Sequence, residues 1–124
     1  MAIKIKRAYE RPEEDDGKRI LVDRLWPRGL SKKELQFDEW CRDVAPSPEL
    51  RQWFNHEPER FHVFANKYEE ELNEDPSKLD CIIDFLTHIK PYKENITLLF
   101  GAKDKTYNHA VVLQKYLRDQ YEQE

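Results

Sequence analysis

The side chains best suited to chemistry fall in two short stretches. Residues 19–29, RILVDRLWPRG, place Asp23, Arg24, Trp26 and Arg28 directly behind an apolar run, and residues 100–110, FGAKDKTYNHA, place Lys103, Asp104, Asn108 and His109 behind another. Arginine presents a planar fork of donors that matches carboxylate or phosphate oxygens, and histidine holds or releases a proton near neutral pH. An aspartate beside the imidazole would orient it, and an asparagine amide would add a neutral donor. These types suit a site that grips an anion and moves a proton. In that reading His109 is the acid or base and Asp23 or Asp104 its orienting carboxylate, while Arg7, Arg24, Arg28, Lys103, Asn108 and Trp26 surround the ligand. A plainer reading needs no ligand: Asp23 and Arg24 pair as scaffolding, Trp26 is core and Arg28 is a solvated loop residue.

For the first reading the two stretches must meet. Ile20, Leu21 and Val22 form a short aliphatic run of the kind buried on both faces of a parallel sheet, and residues 96–100 repeat it. In open α/β sheets ligands sit beyond the carboxyl ends of strands. Were these two strands parallel neighbours joined by a right-handed crossover, Asp23, Arg24 and Arg28 would face Lys103, Asp104, Asn108 and His109. Pro27 pushes Trp26 towards an extended backbone, and Gly29 supplies the freedom a turn needs. Thr106 is expected to cap the last helix, leaving the amides of Tyr107, Asn108 and His109 to an anion.

The remaining elements follow from periodicity and punctuation. Ile3, Ile5, Arg7 and Tyr9 alternate with Lys4, Lys6 and Ala8, which predicts a first strand with the former set facing inward. Residues 10–18, with Glu13, Glu14, Asp15, Asp16 and Gly17, read as an exposed solubilising turn and not as a metal cage. Ser31 and Glu34 fit a capping box for a short helix presenting Leu35 and Trp40 inward. Ser47-Pro48 opens a second helix with Leu50, Trp53 and Phe54 on one face. Pro58 marks the next boundary, and Phe61, Phe64, Ala65, Tyr68 and Leu72 form a core stripe. Asp75-Pro76 opens a fourth helix with Leu79, Ile82, Ile83, Leu86 and Ile89 inward, stopped by Pro91. His56 and His62 read as structural residues at helix boundaries, His56 reaching a site only if its helix points its end there, and His88 reads as a surface residue. The expected fold is α/β: a small, mostly parallel sheet of three strands or slightly more, a long multi-helix insertion between the second and third, all in one domain over residues 1–124.

Composition limits the function. The 124 residues, 39% hydrophobic with three Trp, six Tyr and six Phe, suffice for one ordinary core. The net charge of -4 argues against a dedicated duplex-binding protein, which needs a basic excess, although stacking of single strands on aromatic residues beside arginines is the second functional class considered. Cys41 and Cys81 show no metal-ligand spacing, and free thiols in a reducing compartment are expected. No apolar run approaches a membrane span, so the expectation is a cytoplasmic protein with no membrane partner and no metal. Nothing names a cofactor: Walker, GxGxxG and serine-elbow patterns are absent.

Three segments, DDGKRILVDRLWPRG, APSPELRQWFNHEPERF and LLFGAKDKTYNHAVVLQKYL, together resemble the YeaO-like branch of the domain-of-unknown-function 488 family across nearly the whole chain. The resemblance implies a bacterial or archaeal cytoplasmic protein and supplies no reaction. Residues matching the family pattern are Arg7, Asp16, Gly17, Asp23, Arg24, Trp26, Pro27, Arg28, Gly29, Trp53, Phe54, His56, Asp104, Asn108 and His109. More distant relatives carry a cysteine-histidine-arginine sequence where this chain has Asn108-His109-Ala110, so the resemblance implies no cysteine chemistry here. Whether the protein is an enzyme is left open; binding of a nucleotide or phosphorylated metabolite, with hydrolase or transferase activity as its extension, is the leading expectation, and a protein- or nucleic-acid-binding regulatory module is the alternative.

Overall fold

A computed structural model describes residues 2–89 and 94–121. Four strands, β1 (Ile3–Arg7), β2 (Lys18–Leu21), β3 (Glu39–Trp40) and β4 (Ile96–Phe100), form one sheet in the order β1-β4-β2-β3. Every pairing is parallel, with Ile5 opposite Leu98 and Ile20 opposite Leu98 on the other side. Central β4 is buried at all five positions, as an aliphatic run covered on both faces should be. Helices α1 (Lys32–Leu35), α2 (Pro48–Phe54), α3 (Phe61–Glu74) and α4 (Asp80–Ile89) lie between β2 and β4, and α5 (His109–Tyr121) follows.

The larger core joins Ile3, Ile20, Val22 and Leu98 to Phe54, Phe64, Tyr68, Leu72, Ile82 and Leu113 on one side of the sheet. A smaller one on the other side packs Leu21, Leu35 and Leu99 under Trp26, Phe37 and Trp40. Each large side chain so buried contributes about 1.5–3 kcal/mol. The Ser31 capping box forms, and Ser47 Oγ accepts from the Leu50 amide with Pro48 in the first turn of α2.

Several expectations are corrected. α1 stops at Gln36, which turns left-handed at φ 51°, and Trp40 lies on edge strand β3 instead of on that helix; Cys41 N donating to Leu21 O and Asp38 binding the Arg19 amide fix this pairing. Tyr9 lies outside β1 and is exposed, its hydroxyl donating to Arg28 O at 2.7 Å. Trp53 is also exposed, with the Arg60 guanidinium and Lys67 ammonium over its ring. Asp16 is fully buried, not a solubilising residue: it receives Lys6 Nζ at 2.9 Å, Arg19 Nη1 at 2.5 Å and the Glu13 amide at 3.0 Å. Finally, Cys41 and Cys81 are bonded as a disulfide, not free, because β3 and α4 bring their Cα atoms to 5.7 Å. The expectations for the side chains of His88 and Ile89 and for Pro91 lie outside the described residues.

Candidate functional site

β2 and β4 are parallel neighbours, so their carboxyl ends open on the same edge of the sheet, and a cavity of about 510 Å³ lies there. The segment after β2 lines it with Asp23, Arg24, Trp26 and Arg28; the segment after β4 with Gly101 and Ala102; the start of α5 with Asn108 and His109. Three further walls come from residues the sequence did not single out for a site: Ala45 and Pro46, Phe64 of α3, and Arg51 with Phe54 on α2. His56 enters too, since α2 does point its end at the cavity. The cue for this arm was in the sequence: asparagine after a short capped helix is a left-handed stop, and it redirects the next side chain.

Asp23 is the hub. Its Oδ2 accepts from the Gly101 amide at 2.8 Å, its backbone carbonyl accepts from Trp40 Nε1 at 2.7 Å, and its Oδ1 lies 3.2 Å from His109 Nε2. The same His109 nitrogen lies 3.1 Å from Val22 O. Both neighbours of Nε2 are acceptors, so Nε2 carries a proton, and its angle favours Val22 O; Asp23 Oδ1 is left buried without a hydrogen bond. Beneath, the His109 ring stands edge-on to buried Tyr68, whose hydroxyl donates to Val44 O and whose phenol is pushed well above its ordinary pKa by burial.

Arg24 does not pair with Asp23. Its Nη2 donates to Pro46 O at 3.3 Å, and its Nε is buried with no partner. An unmet guanidinium donor in a cavity wall is costly unless something supplies an acceptor. Arg28 is exposed at the rim. Trp26 lines the cavity but donates Nε1 to Leu30 O at 2.6 Å and packs edge-on against Phe37 and Trp40.

Other predicted site residues are held elsewhere. Arg7 braces the strand exit from behind, donating to Ala102 O at 2.8 Å and Gly101 O at 3.4 Å, and does not line the cavity. Lys103 is exposed and also outside it. Asp104 accepts the Thr106 and Tyr107 amides at 2.8 and 2.9 Å, and these bonds hold its carboxyl below the ordinary range. Those amides are therefore not free for an anion, and the cap of α5 is Asn108, not Thr106: its Oδ1 accepts from Val111 N at 3.0 Å, while its Nδ2 donates to Asp104 O. At Gly101 an added methyl would stand 3.0 Å from Asp23 Oδ2. Glu13, Asp15 and Asp16 are close enough to share a cation, but Lys4, Lys6 and Arg19 already engage this cluster.

Fold and site together define a parallel α/β domain with an arginine-lined hollow at the strand ends. The chain belongs to the DUF488-N3i family, the inactive DUF488-N3 subclade, whose profile matches residues 2–124. It is similar to the uncharacterized protein YeaO of Escherichia coli K12, 42% identical over 118 residues, 95% of this chain and 98% of that protein. It is also similar to the uncharacterized protein Rv3073c of Mycobacterium tuberculosis H37Rv, 51% identical over 72 residues, 58% of this chain. That match spans 61% of the mycobacterial protein's length. No solved structure matches the chain at significance. Among the described residues no helix is long and apolar enough to cross a membrane.

Proposed function

We propose that this cavity binds an anionic small molecule, a nucleotide or phosphorylated metabolite, at the strand ends. The observation that carries the reading is a charge imbalance: Arg24, Arg28 and Arg51 line the cavity against the single carboxylate of Asp23, in a chain whose net charge is -4. The unpartnered Arg24 Nε supports it, because an anion oxygen would complete that donor. A hydrolase or transferase step would fall to His109 with Asp23 as its orienting carboxylate. Against turnover, the lining offers no serine, threonine or cysteine nucleophile among the described residues, and the subclade is described as inactive. The role supported best is therefore binding without catalysis. The alternative, stacking of nucleic-acid bases on Trp26, is disfavoured because that indole is already bonded to Leu30 and packed against two rings.

The test is an NMR titration with inorganic phosphate, nucleoside monophosphates and a single-stranded oligonucleotide. Saturable shifts at Arg24, Arg51 and His109 with the small anions, abolished in Arg24→Met, are expected. Shifts with none of these probes would end the reading, and oligonucleotide binding alone would replace it with the alternative.

A further inference from the structure

The second arm of the cavity is an unusual piece of backbone. α2 ends in two successive left-handed residues, Asn55 at φ 49° and His56 at φ 55°, and neither is glycine. The first has a structural reason, since its amide donates to Arg51 O and closes the helix. The second belongs to the turn that the Glu57 amide closes on Phe54 O at 3.0 Å, and nothing in that turn calls for a histidine. Glycine would adopt this angle without a Cβ penalty, and the His56 ring makes no hydrogen bond among the described residues that would compensate for it. What the turn achieves is to put an exposed imidazole into the lining of the cavity, which Arg51 of α2 also lines. The nearest ring is Phe54, whose centroid is 6.3 Å away.

The charges indicate what such an arm would meet. Asp23 offsets one of the three guanidinium groups, so two positive charges remain before any histidine is protonated. A carboxylate brings one negative charge and two oxygens, whereas a phosphate monoester brings about -1.5 to -2 and three acceptor oxygens. The cavity is also far larger than inorganic phosphate needs, and Phe54, Phe64, Pro46 and Leu25 give it apolar walls.

From this we infer that His56 and Arg51 form a phosphate-recognition arm, and that the ligand is a phosphate monoester with an apolar or aromatic body. This rests on the anion-binding reading above and names the ligand class for it. Arg51 supplies the forked donor, and His56 supplies the further donor that distinguishes the doubly charged head group from a carboxylate. The left-handed turn is the backbone cost of placing that imidazole.

Phenyl phosphate and benzoate, which share a ring and differ in head group, separate the possibilities when titrated calorimetrically into the intact protein and into His56→Gly and Asn55→Gly. Wild type is expected to bind phenyl phosphate more tightly than benzoate. His56→Gly should keep or raise Tm while weakening phenyl phosphate by about tenfold and benzoate by about twofold or less. Asn55→Gly, outside the lining, should leave both affinities unchanged. Equal affinity of wild type and His56→Gly for phenyl phosphate would overturn the inference while leaving the anion site standing, as would equal weakening of both probes. A large fall in Tm in His56→Gly would overturn it in favour of a structural role. Binding of neither probe to wild type, together with silence in the NMR titration, would remove the anion site itself.

Discussion

The two ends of β2 carry the same residue types and put them to opposite uses. At its start Asp16 and Arg19 form a buried pair in which every group is engaged: Arg19 also donates to Leu35 O and Gln36 O, Lys6 covers the second carboxylate oxygen, and the Asp16 carbonyl accepts from Thr97. Just past its other end Asp23 and Arg24 do not pair, and each keeps a buried polar atom without a hydrogen bond beside an open cavity, Asp23 Oδ1 having only the His109 ring nitrogen 3.2 Å away. Completeness marks the first cluster as scaffold. The unmet valences of the second are what the proposed anion site rests on.

The strongest way to break this contrast is to remove each carboxylate. Asp16→Ala should cost about 3–5 kcal/mol in urea denaturation, since it leaves the buried Arg19 guanidinium without its carboxylate and takes one from half-buried Lys6, whereas Asp23→Ala should cost only about 1 kcal/mol, roughly one hydrogen bond. Equal losses would make both clusters scaffold. Burial alone would raise the Asp16 pKa, but the bonds from Lys6, Glu13 N and Arg19 outweigh it and lower it. Its stabilisation is therefore complete above the ordinary aspartate value of 3.8 and is lost as pH falls through the lower folded value, so acid titration of stability should show a limb that Asp16→Asn flattens.

Next in size is the disulfide, which closes a loop of sequence separation 40 and anchors the segment leading to Pro46 in the cavity wall. Reduction, or Cys41→Ser with Cys81→Ser, should lower stability by about 2–4 kcal/mol, read as a drop in Tm with the Asp16 acid limb intact. Arg24→Met should leave stability within about 1 kcal/mol, because it removes an unsatisfied buried donor, yet abolish the phosphate-induced NMR shifts. The smallest effect belongs to Gly101→Ala: its methyl crowds Asp23 Oδ2, and a loss of about 1 kcal/mol or less in thermal melts, with displaced His109 resonances, is expected.

What the sequence disclosed follows the range of the forces involved. Strands β1, β2 and β4 and the caps at Ser31 and Ser47 are written in local periodicity and in side chains that bond backbone three residues away. The meeting of Asp23, Arg24, Asn108 and His109 at one cavity followed from two aliphatic runs lying parallel. Trp40 escaped because a two-residue strand exists only through its neighbour, and the disulfide escaped because nothing local links positions 41 and 81. Asp16 was hidden among acidic neighbours that are exposed, and Arg51 looked like any charge on a solvated helix face. Of the amides expected to be free at the last helix, that of Tyr107 is taken by Asp104, and the cap falls at Asn108, two residues later than the sequence placed it.

The strand order carries one more consequence. Among the described residues β4 is the last strand in chain order and the only one that joins β1 to β2. A nascent chain that has extruded β1, β2, β3 and the helical insertion still holds two strands with open edges and no ladder between them, so the sheet can close only after Phe100 has left the ribosomal tunnel. Assembly of these four strands is in that sense a single late event, and a fragment that stops before Ile96 should be protease-sensitive instead of a partial domain.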